Sequence, residues 1–204
     1  ALIHYIIIFF MFIAGINFSL HFRLISGDFK AYVKDAEFRV YLFITLVITT
    51  IVFISLSFEN NIISSQGLKE SLFNTVAILT STGFVLGDYE AWPVFVQMIL
   101  LTLMFIGGMG GSTTGGMKVI RVLLLVKYAV LETRRMLHSR ALIPVKIGKQ
   151  TIHEDVVRNT LGFFLFFMSA FIVSTILLST MGLDLETSIG AAASAMGNIG
   201  PALG

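Results

Sequence analysis

Apolar residues in this chain are gathered into blocks of about membrane length. Residues 2–22 form one block, interrupted by polar Asn17 and Ser19, and 38–58 carries no charge after Arg39. Residues 92–111 and 161–181 carry no charge at all. About 20 apolar residues are what a helix needs to cross roughly 30 Å of hydrocarbon, so the pattern predicts transmembrane helices. Two shorter stretches are different. Residues 67–79 mix Ser71, Asn74 and Thr75 with Leu72, Phe73, Val76 and Ile78, and 184–196 are rich in alanine at 191, 192, 193 and 195. Each is too short to span, each follows a long apolar block, and each leads into a run bearing glycine: Thr80-Ser81-Thr82-Gly83-Phe84 and Gly197-Asn198-Ile199-Gly200-Pro201. One constant offset relates the two units and carries Gly83 onto Gly200 and Gly87 onto Gly204.

A membrane helix, a half-length helix and a glycine-bearing extended stretch form the plan of an ion-selectivity filter, in which backbone carbonyls replace an ion's water shell. The filter candidates are Thr80, Ser81, Thr82 and Gly83 with Gly197, Asn198, Ile199 and Gly200. The ion-coordinating positions are Thr82, Gly83, Ile199 and Gly200. Glycine there permits positive φ and turns carbonyls toward one axis. Neither segment contains a carboxylate, which points to dehydrated monovalent cations rather than divalent ones. Pore helices entering from the outer side aim unpaired C-terminal carbonyls at the membrane centre, where their partial negative charge favours a cation. A re-entrant packing element without an ion is the plainer alternative.

Residues 92–137 are too long and too irregular for one helix. They contain Gly107-Gly108-Met109-Gly110-Gly111-Ser112-Thr113-Thr114-Gly115-Gly116-Met117-Lys118. Such a glycine density cannot hold an uninterrupted helix, and broken backbone at membrane depth survives only inside protein or along a wet cavity. The expected element is an intramembrane gate loop over 107–116, with Ser112, Thr113 and Thr114 satisfying freed backbone groups or binding ions, and Lys118 at its end. Close small-residue helix packing is an alternative. An intramembrane serine nucleophile would need a base within reach. His4, His21, His138 and His153 all fall near predicted ends or in loops, so no enzyme is expected. Met11 to Ser19 is similar to Met104 to Ser112, which suggests a second close approach or break near Gly15.

Hydrophobic residues make up 56% of the chain and charged residues 13%, against about 25% charge in a soluble domain. Mean hydropathy is +0.89. There is no cysteine, so disulfides and thiol chemistry play no part. Arg23, Lys30, Lys34 and Arg39 follow the first block, and nine further Lys and Arg lie between Lys118 and Arg158, whereas Glu59, Glu70, Asp88, Glu90, Asp184 and Glu186 gather at the opposite ends with Lys69. The basic side is then cytoplasmic and the acidic rim concentrates cations outside. The basic loops also suit a cytosolic partner or anionic lipid. No initiator methionine precedes the first hydrophobic block, and the chain reads as an internal piece of a longer membrane protein.

These three glycine motifs, with His138-Ser139-Arg140-Ala141-Leu142-Ile143-Pro144-Val145-Lys146 and Lys34-Asp35-Ala36-Glu37-Phe38-Arg39, resemble the TrkH/TrkG/KtrB superfamily of potassium transporters, on its TrkH side. The resemblance implies an all-α polytopic membrane protein of tandem helix–pore-helix–filter–helix repeats around a pore, related to potassium-channel pore units. Residues 1–37 would end repeat two. Residues 38–153 would be repeat three: helix 38–58, pore helix 67–79, filter 80–84 and broken helix 92–137. Residues 154–204 would begin repeat four: helix 156–181, pore helix 184–196 and filter 197–201. It implies K⁺ as the transported ion, no covalently bound cofactor, a homodimer, a cytosolic nucleotide-binding regulatory ring of the TrkA kind, a bacterial inner-membrane location and no nucleic acid. A less selective K⁺/Na⁺ pathway and a non-conducting scaffold or sensor are the alternatives.

Overall fold

The computed structural model describes residues 2–60, 65–137, 144–148 and 150–204. The motif stretch 138–143, including His138 and Arg140, lies outside the described residues, as does Lys149. The first block is α1 (Leu2–Ala14) and α2 (Phe18–Ile25), followed by the single turn α3 (Ala31–Lys34) and the long helix α4 (Ala36–Asn60). The semi-polar stretch is α5 (Ser65–Leu79). Helices α6 (Val94–Ile106) and α7 (Val119–Leu137) flank the glycine-rich run, and α8 (Glu154–Thr180) and α9 (Leu185–Gly197) close the chain. One departure from the all-helical expectation is a small antiparallel hairpin, β1 (Lys146–Ile147) with β2 (Gln150–Thr151), between α7 and α8.

Among the described residues two helices are long and apolar enough to cross a bilayer unaided, over Ala36–Phe58 and Glu154–Thr180. The other two expected spans are interrupted. Residues 2–22 are not one helix: α2 departs from α1 at 101°. Residues 92–111 stop at Ile106, and 13 residues at about 1.5 Å each fall short of the hydrocarbon thickness.

The bend after α1 shows how a broken span is tolerated. Ending a helix orphans its last carbonyls, and without water each must find a donor. Tyr41 Oη donates to Phe12 O (3.1 Å), His21 Nε2 lies 3.1 Å from Ile13 O, Thr113 Oγ1 donates to Ala14 O (3.2 Å), and Met109 N donates to Gly15 O (2.9 Å). Asn17 then caps α2 by accepting from Ser19 N at 2.8 Å. Four successive carbonyls are satisfied from three different segments, α4, α2 and the glycine-rich run after Ile106, so the bend is fixed by tertiary structure.

The packing repeats. Helices α1 and α4 pack on α5, and α6 and α8 pack on α9. Each half-length helix is therefore held between the long helix that precedes it and an earlier apolar helix, α1 for α5 and α6 for α9. Helix α5 is buried from Phe73 through Leu79, with Ser71, although its sequence is only half apolar, because protein surrounds it on several sides. Helix α8 is the reverse. Leu165, Phe166, Ile172, Val173, Ile176 and Leu177 are exposed, an apolar face suited to lipid.

Candidate functional site

Helices α5 and α9 end in the same way. Past each end, one residue adopts the left-handed conformation without being glycine: Ser81 at φ 51° and Asn198 at φ 52°. Ser81 N donates to Ile78 O (3.0 Å) and Thr82 N to Ala77 O (2.9 Å). Asn198 N donates to Ala195 O (3.1 Å) and Ile199 N to Ser194 O (3.0 Å). This pair of bonds is the Schellman cap, and all four residues of one cap map onto the other at the offset seen in the sequence. Gly197 is the last helical residue rather than part of the extended stretch. Beyond the caps, Gly83 takes φ 75° and Gly200 φ 111°.

Side chains brace these ends. Thr80 Oγ1 bonds Val76 O (2.7 Å) and lies 2.8 Å from Thr82 Oγ1. Ser194 Oγ accepts from Gly200 N at 3.1 Å. Ser81 Oγ is buried without a hydrogen-bond partner. Asn74 bridges the return stretch of the first unit, donating to Leu86 O (2.7 Å) and accepting from Leu86 N (3.1 Å). The two ends meet: a Cβ built on Gly83 would collide with the Ile199 carbonyl, so only glycine lets the segments come this close. A Cβ on Gly200 would meet nothing within 4 Å.

The glycine-rich run between α6 and α7 is non-helical, as its composition predicts. It folds back on the end of α6: Met117 N donates to Phe105 O (3.1 Å), Lys118 N to Ile106 O (2.8 Å) and Val119 N to Gly108 O (2.9 Å). Its own glycines are close-packed. A Cβ on Gly107 would strike Gly115 O, and one on Gly115 would strike Gly197 O, which sets the loop directly against the end of α9. Gly15, at the other helix break, similarly lies against Thr80, the position equivalent to Gly197. The two breaks are also joined to each other, since Phe18 N donates to Gly111 O at 3.1 Å and Met109 N to Gly15 O.

Sequence reasoning gave no role to Glu37. It is 8% exposed, and its Oε1 accepts from Gly110 N (2.6 Å) and Ile120 N (3.0 Å), tying the loop and the first turn of α7 to the start of α4. Its signal was a carboxylate directly before an apolar block, where a buried charge must be matched by donors. Lys118 curls back into the loop, its Nζ reaching Ser112 and Thr114. Arg121 stacks over Phe163 at 4.1 Å from the ring centroid, joining α7 to α8. Arg134 and Arg135 lie in the last turn of α7, and Arg135 pairs with Glu132 at 2.8 Å. Among the described residues no cluster of three or more His, Cys, Asp or Glu is arranged to hold a metal.

Comparison with known proteins agrees with this architecture. A family model described as TrkH, cation transport protein, matches residues 1–204. The potassium uptake protein TrkH of Salmonella typhimurium is 36% identical over 204 residues, covering 99% of this chain and 42% of that protein. TrkG of Escherichia coli K12 is 31% identical over 200 residues, covering 96% of this chain and 40% of that protein. The crystal structure of the potassium transporter TrkH from Vibrio parahaemolyticus superposes with a TM-score of 0.93 at 37% identity, covering 99% of this chain and 44% of that one. The chain thus spans about two fifths of the length of the curated relatives it matches. The relatives are transporters and not enzymes, and the fold is a helical membrane transporter fold. This chain belongs to the TrkH family of cation transport proteins.

Proposed function

We propose that this chain is part of a potassium uptake protein, in which the ends of α5 and α9 supply two quarters of a carbonyl-lined filter and 107–116 is the gate. The observation that carries the reading is the contact between Gly83 and the Ile199 carbonyl. Gly83 corresponds to Gly200, and Ile199 corresponds to Thr82, so the contact joins unlike surfaces of like units. Contacts of that kind repeat head to tail and close into rings. The open space beside Gly200 suits the next such segment, brought by sequence outside this chain. Residues 80–83 and 197–200 then face a shared axis, with Thr82, Gly83, Ile199 and Gly200 offering carbonyls to a dehydrated K⁺.

The gate assignment is supported by the placement of Gly115 against Gly197 and by the many bonds that fold the loop onto α6. The basic face, with Arg134 and Arg135 at the end of α7, suits a cytosolic regulatory ring. Relatives named as members of a bacterial Trk system support partners in a complex, and a homodimer in the bacterial inner membrane belongs to the same proposal. The test is Rb⁺ and Na⁺ flux in vesicles carrying the full-length protein, with and without deletion within 107–116. Deletion should raise basal Rb⁺ flux and leave the Rb⁺/Na⁺ ratio nearly unchanged. A well-folded deletion with ordinary basal flux and full regulation places the gate elsewhere.

A further inference from the structure

We infer that the oxygens of Ser112 and Thr114 form a monovalent-cation site, which the ammonium group of Lys118 occupies as a tethered cation. The inference rests on reading the loop as lining the ion path. Four oxygens converge on Lys118 Nζ: Thr114 O, Thr114 Oγ1 at 3.0 Å, Ser112 O at 3.3 Å and Ser112 Oγ at 3.5 Å. An ammonium has three protons, so four converging acceptors resemble the shell of a spherical ion more than a set of paired bonds. All four are neutral. Among the described residues no carboxylate forms a salt bridge with Lys118. Glu37, the acid whose field reaches it, uses its Oε1 on two backbone N–H groups instead.

The hydroxyl network leaves lone pairs for a cation. Ser112 Oγ donates its one proton to Met109 O (2.6 Å). Thr114 must therefore be the donor in its 2.9 Å bond to Ser112 Oγ. Gly108 N donates to Thr114 Oγ1 at 3.0 Å, which fixes that oxygen in place. With both hydroxyl protons committed elsewhere, their remaining lone pairs are turned to Lys118, as they would be to K⁺. The backbone gives an independent reason to look for a role in this side chain. Lys118 has φ 76°, a conformation that disfavours every residue with a Cβ. Glycine would be easier there and abounds in the same loop, so a lysine at this position is held by what its side chain does.

The experiment is anomalous diffraction from crystals of the full-length protein in Rb⁺, for wild type, Lys118→Met and Lys118→Gly. Glycine removes the ammonium while relieving the backbone, so that variant is expected to fold. Both variants should gain a Rb⁺ peak among the Ser112 and Thr114 oxygens, and wild type should show none there. A missing peak in both variants, with Rb⁺ still visible on the axis that residues 80–83 and 197–200 face, overturns the inference, as does an equal peak in wild type. The gate reading fails on a separate result, unchanged basal flux after loop deletion, so the two are distinguishable.

Discussion

Helices α5 and α9 end in superposable caps at Ser81 and Asn198, yet Gly83 and Gly200, each two residues further on, sit in opposite surroundings. Gly83 is pressed against the backbone of the other segment, and Gly200 faces open space. The return stretches also differ. In the first unit the Asn74 side chain reaches across to both polar groups of Leu86. In the second, alanine stands at the equivalent of Asn74, and Gly190 lets the backbone of Leu203 approach directly. The cap is local and needs only a few residues in register, so duplication preserves it. The surroundings depend on neighbours, and the two units have different ones.

Gly83→Ala should give the largest effect. The new methyl would overlap the Ile199 carbonyl, adding an overpacking cost of about 1–3 kcal/mol to about 1–2 kcal/mol for the left-handed backbone. If the carbonyls relax apart instead, the proposed filter loses ion preference. The expected result is a fall of about tenfold in the Rb⁺/Na⁺ flux ratio, equivalent to about 1.4 kcal/mol, in protein that still reaches the membrane. An unchanged ratio would remove this contact from the filter.

Next come the two return stretches, which test whether different devices do the same work. Asn74→Leu leaves the Leu86 N–H and carbonyl without their partner, at about 1–3 kcal/mol for a buried group. Gly190→Ala drives a methyl into Leu203 O at a similar cost. Both should lower the thermal midpoint of the detergent-solubilised protein by a few degrees. If only one does so, the stretches are not equivalent supports.

These differences mark where the sequence stops being informative. Uncharged blocks and the glycine run are read locally, and helices Ser65–Leu79 and Leu185–Gly197 and the non-helical run after Ile106 stand where that pattern put them, but the two left-handed caps were not anticipated. The bend after α1 was not legible as a right-angle break. Its four carbonyls are satisfied by Tyr41, His21, Thr113 and Met109, and three of those lie far along the chain. Glu37 was missed for the same reason, because its partners Gly110 and Ile120 are distant in sequence. Lys118 was placed at the loop's end, but the turn of its side chain back onto Ser112 and Thr114 follows from a positive φ that no pattern of residue types announces.

Gly200→Ala should be milder than Gly83→Ala. Its methyl meets no neighbour within 4 Å in this chain, so the cost is conformational, about 1–3 kcal/mol for a backbone that only glycine adopts readily. Thermal midpoints of the two variants, measured in the same full-length background, decide this. Equal losses would mean that the space beside Gly200 is filled in the full-length protein as tightly as Ile199 fills the space beside Gly83, and the asymmetry would then belong to this chain taken alone.

The smallest effect concerns the outer ends of the same helices. Asp184 caps α9, accepting from Glu186 N (3.1 Å), Thr187 N (3.3 Å) and the Thr187 hydroxyl, whereas the equivalent position in the first unit is Gly67, already inside α5. The Thr187 hydroxyl, followed by the backbone N–H groups, holds the Asp184 carboxyl below its ordinary range. A depressed carboxylate contributes stability above its unfolded pKa, near 4, and loses it as pH falls through the lower folded value. Asp184→Asn keeps a capping oxygen but removes the titration. Between neutral pH and about pH 4 the wild type should keep its advantage, and below that range its thermal midpoint should converge on that of the variant. Since the carboxylate is exposed to solvent, the convergence should be slight, and it should have no counterpart in a Gly67 variant. A difference between wild type and Asp184→Asn that persists unchanged through the acid range would mean that the cap holds α9 by geometry alone.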